Sequence, residues 1–264
     1  LLAARKWYDG AEKIKQMIAA EELSSSDISR IRELLGGVLA RMHPHTAADA
    51  SVALAARLST KDAIALLESA ESIISGHMTD DVLYANDLIY AQMHLCAYRV
   101  SDGDYEGRES EILGWFKIYD SDESEIPFSR KNYTFLQYAA YILYEKIHNL
   151  EQAQKYLLRY ITASSDYTLL ERLVELSIVS EFFFNFSAVA LLDGFQRLEN
   201  SELVELFVSL NHGDVERVAQ LKPRISAILG KAGHGLDTES RLEGIVEKAY
   251  LISILNFCWL QSRY

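Results

Sequence analysis

Apolar residues recur at intervals of three and four through almost the whole chain, as in Ile28, Ile31, Leu34, Leu35, Val38 and Leu39. On a helix such positions fall on one side, so the pattern predicts a succession of amphipathic helices. The period-two alternation of a half-buried strand is nowhere sustained. Helix starts are predicted where a capping side chain precedes the stripe: Ser26 or Asp27 before Ile28, Ser59 or Thr60 before Ala63, Thr79 before Val82, Asp104 before Tyr105, and Ser201 before Leu203. Together they divide the chain into about a dozen helices.

Several of the breaks share one chemistry, a small or polar turn with an acid opening the next helix: Thr60-Lys61-Asp62, Asp102-Gly103-Asp104, His148-Asn149-Leu150-Glu151 and His212-Gly213-Asp214. Glycine or asparagine can take the left-handed conformation that ends a helix, and the acid favours the positive N-terminus of the next. The acids stand at 62, 104, 151 and 214, steps of 42, 47 and 63 residues, a loose period near that of paired-helix repeats. The economical reading is a degenerate solenoid in which each hairpin buries its apolar face against its neighbours. Longer breaks at 41–47, 120–130 and 230–237 do not read as linkers between unrelated domains. The predicted fold class is therefore all-α.

Composition narrows the function classes. Only Pro44, Pro127 and Pro223 interrupt a chain rich in Ala, Leu, Glu and Ser, so long helices can run unbroken. A hydrophobic fraction of 49% with 24% charged residues is that of a folded protein with a core to bury. The formal net charge of −12 repels phosphate backbones, and no Lys/Arg run reverses it locally, so nucleic acid is not an expected partner. No apolar run approaches the roughly 18–20 residues needed to span a bilayer, and Leu1 opens directly in helical pattern, without initiator Met or signal-peptide architecture. Cys96 and Cys258 each lie in apolar helical pattern without CxxC spacing, which predicts small buried hydrophobes and a reducing compartment.

Candidate chemistry is sparse. His43-Pro44-His45 offers two imidazoles, but no third ligand has metal-site spacing, and the proline more simply marks a helix end. Asp120, Asp122, Glu123 and Glu125 lack the glycine and terminal glutamate of a calcium loop and read as a solvated turn. Gly103, Gly107, Gly230, Gly233 and Gly235 build neither a P-loop nor a dinucleotide fingerprint. No catalytic, cofactor or metal residues are predicted, and the chain does not read as an enzyme. Tyr133, Tyr138, Tyr141 and Tyr144 are spaced for the packed side of a helix rather than a ligand platform. Phe182-Phe183-Phe184-Asn185-Phe186 is expected to anchor two hairpins, with Phe184 and Phe186 buried and Asn185 breaking or capping a helix. Gly36-Gly37, inside a periodic segment, is expected to permit close helix contact.

The stretch from Phe184 onward carries a resemblance. Phe184-Asn185-Phe186, then Leu191-Leu192, the apolar helix over 203–210, and Asn211-His212-Gly213-Asp214-Val215-Glu216-Arg217 resemble the helical part of the PCI module in the 26S proteasome non-ATPase regulatory subunit 13 family. That family carries a Phe-Asn-Phe motif followed by an aromatic-apolar helix and an Asn-x-Gly-[Asn/Asp]-Val-Glu-Arg turn. Thinner likeness runs upstream through Trp7, the segment 63–74 and Asp102-Gly103-Asp104. Two departures are Leu192-Asp193 where members usually show His-Pro, and a shorter stretch between Asn200 and Val215.

The resemblance implies a right-handed superhelical array of TPR-like antiparallel hairpins over 1–180, leading into the helical subdomain of a PCI module over 181–264, with the winged helix absent because the chain stops after the apolar helix 245–260. It also implies a non-catalytic scaffold subunit of the regulatory particle lid in cytoplasm and nucleus. Partners would be other lid subunits: PCI subunits, the deubiquitinase module and a ubiquitin receptor. The isolated chain is expected to be monomeric. The alternative is a PCI or helical-repeat scaffold of another complex, such as the signalosome, a translation initiation complex or an mRNA export complex.

Overall fold

A computed structural model describes residues 2–19, 23–77, 84–121, 124–229 and 238–261, which form helices joined by turns and loops, with no strand among them. The α-helices are α1 (Leu2–Ala19), α2 (Ser25–Val38), α3 (Pro44–Ala55), α4 (Thr60–His77), α5 (Ala85–Asp102), α6 (Arg108–Asp120) and α7 (Arg130–Lys146). They continue with α8 (Leu150–Ser164), α9 (Leu170–Val179), α10 (Phe186–Ala190), α11 (Ser201–His212), α12 (Val215–Leu221), α13 (Ile225–Ile228) and α14 (Thr238–Gln261).

Local chemistry sets the helix ends, often a residue or two from where the pattern placed them. The cap of α2 is Ser24, not Ser26 or Asp27. Its hydroxyl accepts from the Asp27 N–H at 3.2 Å, and the Asp27 carboxylate accepts from the Ser24 N–H at 3.1 Å, a reciprocal capping box. Ser59 accepts from the Asp62 N–H ahead of α4. Asn200 rather than Ser201 caps α11, accepting from the Leu203 N–H. Asp104 opens no helix: α6 starts at Arg108 behind Gly107, and Asp104 takes an ion pair from the Arg108 guanidinium at 2.7 Å. Pro44 starts α3 at its first turn, where the missing N–H costs nothing. At the 148–151 turn His148 takes the positive φ, and Asn149 caps α8 by accepting from the Gln152 N–H. The expected cap at Thr79 and the glycine-rich break at 230–237 lie outside the described residues.

The chain forms two compact units, Leu1–Ile147 and His148–Tyr264. α8 and α9 belong to the second. In the first unit α3 packs on α1, α4 and α5, and α5 packs on α4 and α7, with α6 beside α7. Because α3 is enclosed on several sides it has no polar stripe; Ala47, Ala48, Ala50, Ser51 and Ala55 are all buried. Of the stripe on α2, Ile31, Leu35 and Leu39 reach the core while Leu34 stays exposed. Polar side chains join α5, α6 and α7: Asn132 Nδ2 donates to the Asn86 carbonyl at 2.8 Å and to the Tyr119 hydroxyl at 3.0 Å, and that hydroxyl donates to Asn86 Oδ1. Of the tyrosine series, Tyr141 and Tyr144 are buried and Tyr133 and Tyr138 half-buried. Gly36 and Gly37 lie on the exposed side of α2, and nothing approaches where a Cβ would stand, so they serve no close helix contact.

In the second unit α8 packs on α9, and α9 packs on α10, α11 and α14. α12 closes against both α11 and α14. Leu173, Val174, Phe186, Leu206, Phe207 and Leu210 are buried in this unit.

Candidate interaction surface

Several of the features that carry the motif resemblance lie around α14. Asn185 caps α10, accepting from the Ala188 N–H, and this turns Phe186 inward. Phe186 is 1% exposed, with Phe207 of α11 at 5.0 Å and Phe183 at 5.5 Å between ring centroids. Phe184 was expected to share this burial but is 37% exposed, and Phe182 beside it is 72% exposed. A short helix has room on its inner side for one ring of the cluster, and the segment before it is irregular.

Against Phe186 lies a residue the sequence did not flag. Lys248 of α14 is 4% exposed, and its ammonium donates to the carbonyls of Ser180 at 2.6 Å, Ser177 at 2.9 Å and Ile178 at 3.4 Å. The Phe186 ring centroid is 4.9 Å away and the Phe184 and Phe183 rings are within about 6 Å. Helix ends leave carbonyls without intrahelical donors and carry partial negative charge. Lys248 therefore caps the C-terminus of α9 from another helix. Burial pushes its pKa down to about 7, opposed by the carboxylate of Glu151. Nothing in sequence spacing marks such a residue, because its partners are backbone atoms some 70 positions away.

The Asn211–Arg217 motif is also accounted for. Asn211 Oδ1 accepts from the Ser187 hydroxyl at 3.3 Å, tying α11 to α10. Gly213 has φ +69°, and a Cβ there would lie 2.6 Å from the Ser253 nitrogen of α14, so only glycine permits both the turn and the approach. Asn256 of α14 donates to the His212 carbonyl at 3.2 Å. Asp214 caps α12 through the Arg217 N–H, and the Arg217 guanidinium pairs with Glu205.

These contacts use one side of α14, where Ile245, Lys248, Ala249 and Ile252 are buried. The other side is apolar too. Tyr250, Leu251, Ile254, Leu255 and Phe257 are each about half exposed or more, and Cys258 is exposed beside them. The expectation that Cys258 is buried fails because it falls on this uncovered side; Cys96 is buried, and desolvation pushes its thiol pKa up to about 12.

The other candidate residues have structural surroundings. His43 meets the Tyr84 ring edge-on, and His45 Nδ1 bonds Asp87 at 2.7 Å with its Nε2 3.7 Å from Asp49. Asp49 also pairs with Lys131 at 2.8 Å. His94 stacks on Phe135 at 3.5 Å, and burial pulls its pKa down to about 3. Asp120 ends α6 and Glu125 is exposed, while Asp122 and Glu123 are outside the described residues. Among the described residues no group of three His, Cys, Asp or Glu side chains is arranged to hold a metal, and no helix is long and apolar enough to cross a membrane. No protein-family model matches the chain, and no curated protein matches it in sequence.

Proposed function

We propose that the protein is a non-catalytic scaffold subunit of the 26S proteasome regulatory particle lid that works through protein–protein contacts in ubiquitin-dependent degradation. The observation that carries the reading is the two-sided apolar character of α14, one side packed and the other open. A helix that is hydrophobic all round is ordinarily buried all round, and an open apolar strip on a water-soluble surface is the mark of a partner site. The resemblance to the subunit 13 family supplies the assembly. Of the motif residues, Asn185, Phe186, Asn211, Gly213 and Asp214 take part in the packing of α10, α11, α12 and α14.

The side-by-side packing of α3, α5 and α7, with α4 and α6 against them, supports a TPR-like hairpin array in the first part of the chain. In this reading the array is right-handed, residues 181–264 are the helical subdomain of a PCI module, and the protein works in cytoplasm and nucleus. Lid partners would be PCI subunits, the deubiquitinase module and a ubiquitin receptor.

The test is affinity purification of the tagged chain from its own cells, beside an Ile254→Ser variant, with the recovered proteins identified by mass spectrometry. Lid subunits and proteasomal ATPases are expected with the wild type and depleted with the variant. Recovery of ribosomal or mRNA export factors in their place would move the protein to another PCI assembly.

A further inference from the structure

The open side of α14 has a charge pattern as well as an apolar one. At 100° per residue, Glu243, Glu247, Tyr250, Leu251, Ile254, Leu255, Phe257 and Cys258 fall on one face, opposite Ile245, Lys248, Ala249 and Ile252. Glu243 and Glu247 are exposed and make no ion pair among the described residues. Beyond them the sequence over 249–260 contains no charged residue. The face thus runs from two exposed carboxylates, one turn apart, straight into an uncharged apolar strip, over a length of about 22 Å.

We infer that this face receives an amphipathic helix of a partner protein whose apolar stripe ends in basic residues, Lys or Arg, set one turn apart to meet Glu243 and Glu247. This rests on the scaffold reading and specifies the partner's chemistry. A second copy of the chain fits less well. Each copy carries a net charge of −12, and a parallel pairing sets the two glutamates against their own counterparts. An anionic lipid surface fits less well for the same reason, because the strip is flanked by acids where a membrane-seeking helix carries Lys and Arg. The apolar strip supplies the affinity and the carboxylates fix the direction of the incoming helix, since reversing it puts its basic end against Ile254 and Phe257 and strands both charges.

The experiment uses the full chain and two synthetic helical peptides of about 18 residues with one Leu/Ile stripe, which ends in a Lys pair in the first and in a Glu pair in the second. Binding is read by fluorescence anisotropy. The Lys-ended peptide is expected to bind about five- to tenfold more tightly, the effect of two surface ion pairs, and the advantage is expected to shrink with salt. In the double variant Glu243→Lys with Glu247→Lys the preference reverses, while Ile254→Ser weakens both peptides together. These substitutions are at exposed positions, and an unchanged urea midpoint checks that the fold is kept.

Equal binding of the two peptides, or a preference that survives the charge reversal, overturns the inference and leaves the scaffold reading intact. Binding of both peptides unaffected by Ile254→Ser overturns the inference together with the surface on which the scaffold reading rests. A dimer in light scattering that Ile254→Ser abolishes, or capture by phosphatidylserine vesicles through the same residue, overturns it in favour of those occupants.

Discussion

Replacing Lys248 by methionine keeps the reach and flexibility of the side chain and removes its ammonium, isolating the contacts with the carbonyls of Ser177, Ile178 and Ser180. A buried carbonyl left without a donor costs about 1–3 kcal/mol. Two of the contacts are short, at 2.6 and 2.9 Å, so their loss amounts to about 2–6 kcal/mol. Opposing this is the desolvation of the ammonium, which brings the Lys248 pKa to about 7 from 10.5. The folded state therefore holds fewer protons than the unfolded state across that window, and stability rises with pH from about 7 toward 10.5. Between pH of about 7 and about 9 the rise due to this group is about 2 kcal/mol. The neutral amine keeps two donors, enough for the two short contacts, so deprotonation does not undo the docking of α14.

Urea unfolding followed by helical circular dichroism measures both parts. Lys248→Met is expected to be less stable than wild type by about 4 kcal/mol near pH 9, and by about 2 kcal/mol near pH 7. Other titrating groups contribute equally to both proteins and cancel in the difference. Equal midpoints at both pH values, or stability profiles that run parallel, refute the capping role assigned to this lysine.

Three further outcomes are open to test. Gly213→Ala is expected to lower stability by about 2–4 kcal/mol, because a Cβ meets the Ser253 backbone and the backbone is left-handed there; a thermal midpoint within a degree or so of wild type contradicts it. Phe186→Ala is expected to cost about 3–5 kcal/mol and Phe182→Ala less than about 0.5, and comparable losses in denaturant unfolding rule out the burial described. Iodoacetamide is expected to modify Cys258 promptly in the native protein and Cys96 only after denaturation, checked by peptide mapping; native labelling of Cys96 contradicts its burial.

The helical periodicity was legible because a stripe such as Ile31, Leu35 and Leu39 is written at the spacing of the helix itself. Turn chemistry was legible where a conformation is cheap for one residue type, as is the left-handed backbone at Gly213. It was less so where several neighbours can cap, as at Ser24 in place of Ser26 or Asp27, since neighbouring polar residues differ little in capping strength.

The surface of α14 needed the tertiary structure. Its apolar residues lie all round the helix, so pattern alone cannot say which side is covered. That was decided by Gly213 letting Ser253 approach, by Asn256 reaching the His212 carbonyl, and by Lys248 meeting the end of α9. The same distinction separates Cys96 from Cys258 and Phe186 from Phe182, pairs alike in type and in local pattern. Sequence alone determines which stretches become helices, because backbone hydrogen bonding and side-chain periodicity act over a few residues. Which apolar face finds a neighbour and which is left open depends on contacts between residues tens of positions apart, and only the packed chain decides that.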